Sequence, residues 1–538
     1  GSGTHLETET TPDKPSFFVS LTLPDLRHKR KLISRVVIGV DAVELRVDLL
    51  EKQSPEEVLE QTSILRDVAN KPIIFTVRTE SQGGRFPDDK RDKLVELYRL
   101  ALKMGVDYLD VEVTVDDSTL QGIVDSRRHT RIIASHHDPH GTLSWTNASW
   151  VPFYNRAIQY GDVIKLVGSA KAINDNFDLI GFKSKMLASH KTPMIAINMG
   201  NTGRLSRVLN GFLTPVSHPE LPFPAATGQM SATEIRQSLA LLGEIEARKF
   251  YLFGKPISQS KSPALHNYLF GRTGLPHRYE LLETDRIADV KAALHDAKFG
   301  GASVTIPLKQ QVMELVDELT PAARIIGAVN TVLPLAAGSA HSIQRLLGDN
   351  TDWKGMAYTL KQGGVSAQEL GGSALVVGSG GTARAAIFAL HSMGFSPVHV
   401  TARDASKAKA LVADFPDSYL VRVIASASEA VDLEECPRVI ISTIPADKPV
   451  DAVVRGVLTQ VLVLSPNPRG NGVLLDMAYK PSFTPVMQLA EEAGGWKLIP
   501  GLEVLAAQGC YQFELWTGIT PLFNDAREAV LGIGMQKP

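Results

Sequence analysis

The stretch Asp162-Val163-Ile164-Lys165-Leu166-Val167-Gly168 decides the fold of the first half of the chain. It is a short apolar run between Gly161 and Gly168, which is typical of a buried parallel strand, except that Lys165 stands at its centre. Two interpretations are open. Either the lysine stem packs while its ammonium group reaches solvent, or the amine is desolvated, has a lowered pKa and attacks a ketone to form a Schiff base.

Seven further apolar or β-branched runs repeat a rhythm of strand and helix around this one. Amphipathic segments at 55–69 and 88–104 lie between them, and Ser54-Pro55 is a typical helix start. Eight strand-helix units in about 225 residues predict a closed TIM (β/α)8 barrel rather than an open sheet. The predicted strands are 17–22, 42–47, 73–77, 108–113, 131–135, 163–167, 194–197 and 211–214.

The composition predicts a globular chain of two or three domains in a reducing compartment. The 538 residues are 44% hydrophobic and 21% charged, and the formal net charge of -2 gives no sign of a nucleic-acid partner or of an anionic membrane surface. The two cysteines, Cys436 and Cys510, occur without a signal peptide or long apolar span, which favours the cytoplasm. Neither they nor the histidines have the spacing of a metal site. Residues 1–14, which open with Gly1-Ser2-Gly3, are predicted to be a flexible tag and leader.

Polar residues collect at the ends of the predicted barrel strands, where the active site of such a barrel lies. Each alone has an ordinary explanation, such as a structural ion pair or a packed histidine. Together they predict a pocket with a buried amine, an imidazole that can move protons and guanidinium groups suited to an anionic, hydroxylated substrate. These residues are Glu44, Arg46, Arg78, Glu112, His136, His137, Lys165 and Arg207.

These segments resemble the type I 3-dehydroquinate dehydratases in order and spacing, over a domain predicted to span 15–242. The segments concerned are Glu44-Leu45-Arg46, Thr76-Val77-Arg78, Ser135-His136-His137-Asp138, the Lys165 strand, Leu205-Ser206-Arg207 and Gly228-Gln229. The resemblance implies that Lys165 forms an imine with the substrate ketone and that His137 serves as acid and base. It also implies that Arg207 holds the substrate carboxylate. It further implies that Glu44, Arg46 and Arg78 bind and orient the substrate hydroxyls. Gln229 matches a residue of the loop that closes over the site.

Two positions depart from the bacterial members of that family. Gln82 stands where they have an acidic residue, and Ala225 stands where they have a loop serine. Because the imine lysine, the base and the carboxylate arginine are all present, we expect these changes to tune rate or affinity.

The second half of the chain begins after a close connection. Residues 231–249 have a largely helical pattern without a Gly/Pro-rich tether, and 243–249 are predicted to be the linker. A strand and turn at 250–256 then lead into Ser260-Lys261-Ser262-Pro263 and a helix over 264–271. The serines alone fit a helix cap. Further polar clusters at 303–309, 327–331 and 348–352 follow apolar runs and predict loops that line a cleft.

A glycine-rich turn gives a phosphate-binding signal. The strand 374–377 runs into Gly378-Ser379-Gly380-Gly381-Thr382-Ala383, a G-x-G-x-x-A pattern, and then into an alanine-rich helix. The glycines allow a tight turn and the approach of a pyrophosphate, while the helix N-terminus favours negative charge. A glycine turn without a ligand is the alternative, but the strand-turn-helix context favours a dinucleotide at Gly378, Gly380, Gly381, Thr382 and Ala383.

The residues after the next strand favour NADP over NAD. Arg403 and Lys407 suit a 2'-phosphate, whereas an enzyme selective for NAD would place a carboxylate at this strand end. Asp404 is such a carboxylate one residue further on, and NADP is still the prediction.

The clusters of the second half, in this order, resemble the shikimate dehydrogenases from about Phe250 to the C-terminus. The resemblance implies a two-lobed unit, with an α/β substrate-binding lobe over 250–370 completed by C-terminal helices at about 502–538, and a Rossmann NADP-binding lobe over 371–501. It implies that Lys309 and Asp352 are the catalytic pair, with Lys309 as proton donor. Implied substrate-binding residues are Ser260 and Ser262 for the carboxylate, Thr305, Asn330, Asp352 and Gln508 for hydroxyls, and Tyr479.

The two resemblances support each other, because the product of the dehydratase, 3-dehydroshikimate, is the substrate of the dehydrogenase. Together they resemble the C-terminal two domains of the fungal pentafunctional AROM polypeptide, which implies covalent linkage to upstream shikimate-pathway domains. A homodimer is a further expectation. Three alternatives stay open: an aldolase-like barrel fused to another NADP oxidoreductase, a quinate dehydrogenase, and a quinate-pathway regulator that lacks activity. The presence of Lys165, His137, Lys309 and Asp352 argues against the regulator.

Overall fold

A computed structural model describes residues 14–335, 344–464 and 472–532. The chain forms two compact units. The first reaches to Ala247 and includes Gly271–Pro276, and the second contains Arg248–Phe270 and the described residues from His277 onward. Most of the predicted leader, and the last six residues of the C-terminal segment predicted to complete the substrate-binding lobe, lie outside the described residues.

The first unit is built from eight parallel strands and eight helices. The strands are β1 Phe17–Leu21, β2 Ala42–Arg46, β3 Ile73–Thr76, β4 Tyr108–Glu112, β5 Arg131–His137, β6 Val163–Ser169, β7 Met194–Met199 and β8 Thr214–Val216. The helices are α1 Arg30–Val36, α2 Pro55–Ala69, α3 Arg91–Met104, α4 Asp117–Asp125, α5 Val151–Tyr160, α6 Asn174–Ser189, α7 Arg204–Leu209 and α8 Ala232–Leu241. The strand order β7-β6-β5-β4-β3-β2-β1-β8 describes a nearly closed barrel, which confirms the predicted fold. In this fully described part of the chain, β7 and β8 form no ladder with each other, and we call the gap between them the seam.

Among the predicted elements of this unit whose bounds were wrong, two were interrupted by backbone with positive φ. The last strand begins at Thr214 and not at Gly211, because Gly211 and Leu213 have φ values of 79° and 44°, which interrupt extended backbone. The helical pattern predicted over 231–249 ends at Leu241, where Gly243 follows with a φ of 82°. A glycine in this conformation is a common helix terminator.

Alternation along β6 explains how a lysine fits in an otherwise apolar strand. Ile164 and Leu166 point outward and are buried in a cluster with residues of α5 and α6. Val163 belongs to an inner cluster that includes Phe18 and Ile195. Since side chains alternate between the faces of a strand, Lys165 projects into the barrel on the same side as Val163.

The lobe of the second unit that is predicted to bind substrate, called the substrate-binding lobe below, contains a mixed sheet of six strands. The strands are β9 Lys249–Gly254, β10 Arg278–Glu283, β11 Phe299–Val304, β12 Glu318–Leu319, β13 Thr331–Pro334 and β14 Leu346–Asp349. The helices are α9 Ser262–Thr273, α10 Ile287–Leu294, α11 Pro321–Ile326 and α12 Asp352–Gln362. The strand order is β10-β9-β11-β13-β14-β12, and β13 runs antiparallel to both of its neighbours.

The other lobe is an open parallel sheet of six strands. The strands are β15 Ala374–Val377, β16 Val398–Thr401, β17 Val421–Val423, β18 Val439–Ser442, β19 Gly472–Asp476 and β20 Trp496–Pro500. Its helices are α13 Gly381–Ser392, α14 Ala405–Ala413, α15 Ala427–Val431, α16 Ala452–Leu464 and α17 Pro485–Ala493. Two further helices, α18 Gly501–Thr517 and α19 Phe523–Leu531, follow β20, and α18 packs against α12, β11 and β13 of the substrate-binding lobe. The order β17-β16-β15-β18-β19-β20 is that of a Rossmann fold, with its switch point between β15 and β18, where ligands bind in such sheets.

Candidate active sites

Lys165 is buried inside the barrel and does not reach solvent. The residue is 5% exposed, its Nζ atom lies 3.9 Å from Asp110 Oδ2, and it lies 5.2 Å from the centroid of the Phe18 ring. Burial lowers the pKa of the Lys165 amine, although the carboxylates of Glu44 and Asp110 oppose this effect. The site therefore favours a neutral amine more than solvent does, which is what a nucleophilic lysine needs.

Arg78 is held beside this amine by buried carboxylates. Its guanidinium group donates to Asp110 at 3.0 and 2.8 Å, to Glu112 at 3.2 Å and to Ser135 Oγ at 3.0 Å. Paired, hydrogen-bonded charges of this kind are tolerated in a barrel interior. Arg78 therefore has a fixed position and contributes positive charge next to Lys165.

Glu44 and Arg46 are separate elements of the site, because the ion pair that could join them is not formed. Arg46 instead pairs with Asp48 through two hydrogen bonds of 2.9 and 2.8 Å. Glu44 accepts hydrogen bonds from the Ser20 and Thr76 hydroxyls at 2.8 and 2.9 Å. Both side chains are thus fixed at the pocket wall.

The adjacent histidines have different environments. The His136 ring stacks on Phe153 with centroids 3.7 Å apart, and burial lowers its pKa to about 4. His137 instead lines the cavities around Lys165. Burial, followed by the charges of Arg78 and Lys165, holds the pKa of His137 well below its usual value. His137 is therefore neutral and able to accept a proton, whereas His136 is a packing residue.

Gln82 connects its loop to the base. Its Oε1 atom accepts the backbone N–H of His137 at 2.7 Å, and Gln82 also lines the wider cavity. The neutral amide thus fixes the backbone of His137 without adding a negative charge beside the imidazole.

Arg207 is a buried guanidinium group without an anionic partner among the described residues. It is 0% exposed, and its hydrogen bond is a 3.4 Å contact from Nη2 to the Thr227 carbonyl oxygen. Burial lowers its pKa to about 10, with a further contribution from Arg204. A buried cation in this state favours the arrival of an anion.

The structure brings seven of the predicted barrel residues to two adjoining cavities, whereas the predictions for Glu112 and His136 were wrong, because these two residues line neither cavity. The inner cavity, of about 30 Å³, contacts Lys165, and the wider one, of about 550 Å³, lies over it. Arg46, Arg78 and His137 line both. The inner cavity is also lined by Glu44, Arg207 and Gln229, and the wider one by Gln82 and Ala225.

Sequence reasoning did not identify Asp48 and Asp110, the carboxylates that fix Arg46 and Arg78. A signal for Asp110 was present in Tyr108-Leu109-Asp110-Val111-Glu112, where two acidic residues alternate on one face of an otherwise apolar strand. Asp48 follows its strand and had no comparable pattern.

In the second unit, Lys309 and Asp352 form a close pair. Lys309 Nζ donates to Asp352 Oδ2 at 2.6 Å and to Thr382 Oγ1 at 3.1 Å. Both members of the pair are buried, at 8% exposure. Because Thr382 belongs to the glycine-rich turn, the pair lies where the substrate-binding and Rossmann lobes meet.

The predicted substrate-binding residues surround one cavity of about 500 Å³. Asn330 donates to Thr351 Oγ1 at 2.9 Å and to Gln508 Oε1 at 3.4 Å, which orients both amides at the cavity wall. The predicted residues that line the cavity are Ser260, Ser262, Thr305, Lys309, Asn330, Asp352, Tyr479 and Gln508.

A buried hydrogen-bond network behind this cavity was not predicted. Gln512 accepts from Ser303 at 3.0 Å, donates to Thr331 at 2.9 Å and contacts His266 Nε2 at 3.2 Å. The i and i+4 spacing of Gln508 and Gln512 on one helix face was the available signal.

A second cavity of about 500 Å³ contacts the glycine-rich turn and shares Lys309 and Thr382 with the substrate cavity. The shape of this cavity depends on glycines, which have no side chain, at positions 378 and 380. A Cβ atom on Gly378 would collide with Thr443 Oγ1, whereas one on Gly380 would project into open space within the cradle. The predicted residues Gly378, Gly380, Gly381 and Thr382 line this cavity. Ala383 does not line it and is buried in the lobe core, because the last position of the pattern serves close helix-strand packing.

Arg403 and Lys407 lie at the same cavity and are exposed to it. The Asp404 carboxylate between them caps helix α14 by accepting the backbone N–H groups of Ser406 and Lys407 at 2.9 and 3.3 Å. Its role as a helix cap explains a carboxylate at this position without a ribose partner.

The described residues contain no helix long and apolar enough to span a membrane. They also contain no cluster of three or more histidine, cysteine or acidic side chains that could hold a metal ion.

Comparison with known proteins identifies the family. The structure of the dehydroquinate dehydratase and shikimate dehydrogenase part of AroM from S. pombe is 40% identical, with a TM-score of 0.76, and the match covers 98% of this chain and 99% of that chain. The chain belongs to this bifunctional AroM family. It combines a type I 3-dehydroquinate dehydratase, a lyase, with a shikimate dehydrogenase, an oxidoreductase, in the shikimate pathway.

Family models that match individual domains agree with this assignment. The type I 3-dehydroquinase family matches residues 17–246, the shikimate dehydrogenase substrate binding domain matches 252–332, and the shikimate 5'-dehydrogenase C-terminal domain matches 501–531. Shikimate 5-dehydrogenase from Thermus thermophilus, solved with NADP(H) and shikimate, is 31% identical, and the match covers 53% of this chain and 99% of that chain with a TM-score of 0.42. Shikimate dehydrogenase from Mycobacterium tuberculosis is 30% identical, with 53% and 100% coverage and a TM-score of 0.43.

Proposed function

We propose that the barrel dehydrates 3-dehydroquinate through an imine on Lys165. The neutral amine adds to the ketone carbon, and loss of water with uptake of one proton gives a protonated imine, which withdraws electrons and acidifies the neighbouring carbon. His137 takes the proton from that carbon and then returns it to the departing hydroxyl group, which leaves as water. Hydrolysis of the imine releases 3-dehydroshikimate and regenerates the amine.

The unpaired Arg207 guanidinium group is the observation that carries this proposal. It lines the same cavity of about 30 Å³ as Lys165 and His137, and no anion of the described residues neutralises it. A substrate carboxylate bound to Arg207 would supply the missing charge. Glu44, Arg46 and Arg78 would hold substrate hydroxyls, since each is fixed by the hydrogen bonds described above, and Gln229 would cover the site.

Borohydride reduction in the presence of 3-dehydroquinate tests the imine. We expect a reduced adduct on Lys165, identified by peptide mass spectrometry, and none in Lys165→Met. Lys183 is a matched internal control, because burial also lowers its pKa, to about 8, yet it lies outside both cavities. An adduct on Lys183, or none on Lys165 during turnover, would overturn the proposed role.

We also propose that the second unit reduces 3-dehydroshikimate with NADPH through Lys309 and Asp352. NADPH, when bound, supplies the hydride that reduces the ketone. Lys309 would give a proton to the oxygen of that ketone, and Asp352 would hold the ammonium group in place and contact a substrate hydroxyl. The 2.6 Å contact between them, at the junction of the two cavities, supports this assignment.

The remaining site residues are proposed to bind the ends of the two ligands. Ser260 and Ser262 would hold the substrate carboxylate. Thr305, Asn330 and Gln508 would contact its hydroxyls, and Tyr479 would lie on the substrate side of the site. Gly378, Gly380, Gly381 and Thr382 would approach the pyrophosphate, and the 2'-phosphate of NADP would lie against Arg403 and Lys407.

A coupled assay tests both proposals in one chain. With 3-dehydroquinate and NADPH we expect NADPH oxidation and shikimate formation. Lys165→Ala should abolish this signal while leaving turnover of added 3-dehydroshikimate intact. Absence of oxidation with either substrate would contradict the proposed residue roles. A cytoplasmic location, a homodimer and attachment to upstream shikimate-pathway domains stay predictions.

A further inference from the structure

At the seam of the barrel, two backbone N–H groups of β7 have no neighbouring strand to accept their hydrogen bonds. Backbone N–H groups of a strand point alternately to its two neighbours, and those of Ala196 and Asn198 point away from β6. They are bound instead by side chains from the segment around α7. Asn198 N donates to Ser206 Oγ at 2.8 Å, and Ala196 N donates to Asn210 Oδ1 at 3.0 Å.

The facing strand cannot take the place of these side chains. The N–H of Thr214 is bound to Ser16 on the β1 side, and the next position facing the seam is Pro215, which has no N–H. The backbone of the segment before it, at Gly211 and Leu213, has positive φ and is not extended. Strand pairing therefore stops here, and α7 lies against the gap.

Both anchoring side chains are fully hydrogen-bonded. Ser206 Oγ donates to the Gly203 carbonyl oxygen at 2.6 Å. Asn210 Nδ2 donates to the Phe212 carbonyl oxygen at 2.7 Å and to Thr214 Oγ1 at 2.8 Å.

Lys183 of α6 adds a second layer. Its Nζ atom donates to the main-chain oxygen and to Oδ1 of Asn210, at 2.8 and 2.9 Å. Because this half-buried lysine donates to two oxygens of the same asparagine, it restricts that asparagine to one orientation.

Arg207 lies between these two anchors in the sequence and is buried beside Lys165. We propose that Ser206 and Asn210 are positioning residues of the dehydratase, which hold α7 against β7 and thereby place the Arg207 guanidinium group for the substrate carboxylate. This inference rests on the proposed role of Arg207. It goes further, because it states that hydrogen bonds to the unpaired edge of β7 determine where the Arg207 guanidinium group lies.

Steady-state kinetics of the full chain tests this inference. Ser206→Ala should raise KM for 3-dehydroquinate about tenfold with kcat changed less than about threefold, because a misplaced guanidinium group weakens binding in the ground state and transition state alike. Ser206→Thr, which keeps the hydroxyl, should restore KM. Lys183→Met leaves the α7 segment unchanged and should raise KM in the same direction, so the test does not depend on the folding of one variant.

Two controls separate positioning from general damage. Thr130→Val removes another buried hydroxyl, which donates to Val106 O at 2.7 Å away from both cavities, and it should leave KM unchanged. Dehydrogenase turnover of 3-dehydroshikimate should be the same in all variants.

A double mutant identifies the route of the effect. In an Arg207→Met background, Ser206→Ala should cause no further rise in KM. The inference would be overturned if Ser206→Ala raised KM as much in the Arg207→Met background as in the wild type. It would also be overturned if Ser206→Ala alone changed KM no more than Thr130→Val does. If Arg207→Met alone leaves KM unchanged, the proposed carboxylate site fails first, and that outcome is distinguished from a failure of the anchors.

Discussion

Lys309 Nζ lies 2.6 Å from Asp352 Oδ2, although the two residues belong to different segments of the substrate-binding lobe and are 43 positions apart. The same ammonium group donates to Thr382 of the glycine-rich turn. One lysine is therefore bound by groups from both lobes. This arrangement places a proton donor beside both cavities, where it can reach a ketone that also faces the nucleotide cavity.

Lys309→Met should lower kcat of the dehydrogenase by about 100-fold or more, because a positioned proton donor contributes on this scale. Lys354→Met is the matched control. Lys354 is on the same helix as Asp352, but it packs against Trp353 and Tyr511 and lines neither cavity. Stopped-flow and steady-state measurements of NADPH absorbance give kcat for each variant. The dehydratase activity should not change. Equal losses in both variants would contradict the assignment.

Arg403→Ala should raise KM for NADPH at least about tenfold and leave KM for NADH unchanged, since the guanidinium group is proposed to contact the 2'-phosphate that NADH lacks. Lys409→Ala gives the control, because Lys409 is an exposed lysine of the same helix as Lys407 that does not line the nucleotide cavity. Cofactor titrations at saturating 3-dehydroshikimate measure both constants. An equal rise in KM for the two cofactors would contradict a 2'-phosphate contact.

The barrel could be predicted from sequence because its strands are apolar runs bounded by polar residues, and β6 was located to within two residues. The start of β8 could not, because Gly211-Phe212-Leu213 is as apolar as a strand and only its positive φ values exclude it from the sheet. Hydropathy does not encode backbone dihedral angles. The end of α8 was predicted wrongly for a related reason. The pattern of residues 244–248 is compatible with a helix, but Gly243 has a φ of 82° and the helix ends before it.

The residues around the barrel cavities could be predicted where they lie in or directly after strands, since parallel strands bring their carboxyl ends together. The partners that fix them could not. Whether Arg46 pairs with Glu44 or with Asp48 depends on side-chain rotamers and on the 3-10 turn after β2. The ion pair between Asp110 and Arg78 depends on the register between strands. The anchors Ser206 and Asn210 were equally hidden, because their function depends on the seam.

Gln82→Glu should shift the acidic limb of the dehydratase kcat/KM profile to higher pH by about one unit. The surroundings of His137 are cationic, with Arg78, Lys165 and Arg46 all lowering its pKa. A carboxylate at Gln82 favours the protonated imidazole and raises that pKa. More of the base is then protonated at low pH, so activity falls at a higher pH than in the wild type. Gln82→Met, which removes the acceptor without adding charge, should change the rate but not shift the limb upward. An unchanged Gln82→Glu profile would contradict the electrostatic role.

His399→Leu should make the chain less sensitive to acid. His399 is 3% exposed on β16, its Nδ1 atom has no hydrogen-bond partner, and burial lowers its pKa from 6.5 to about 4. The unfolded chain therefore takes up a proton first as the pH falls below 6.5, and the folded chain takes it up only near pH 4. Stability linked to neutral His399 is thus complete above pH 6.5 and is lost between 6.5 and 4.

At pH 5 this difference costs the folded state about 2 kcal/mol relative to pH 8. Leucine and glutamine at position 399 both abolish the titration, so each variant should reduce the loss of unfolding free energy between pH 8 and pH 5 by that amount, whatever its effect at pH 8. Urea denaturation of wild type and both variants, followed by circular dichroism at the two pH values, gives the comparison. If the pH 8 to pH 5 difference is the same in all three proteins, His399 does not contribute to acid sensitivity. A change in the leucine variant alone would indicate an effect of packing and not of proton binding.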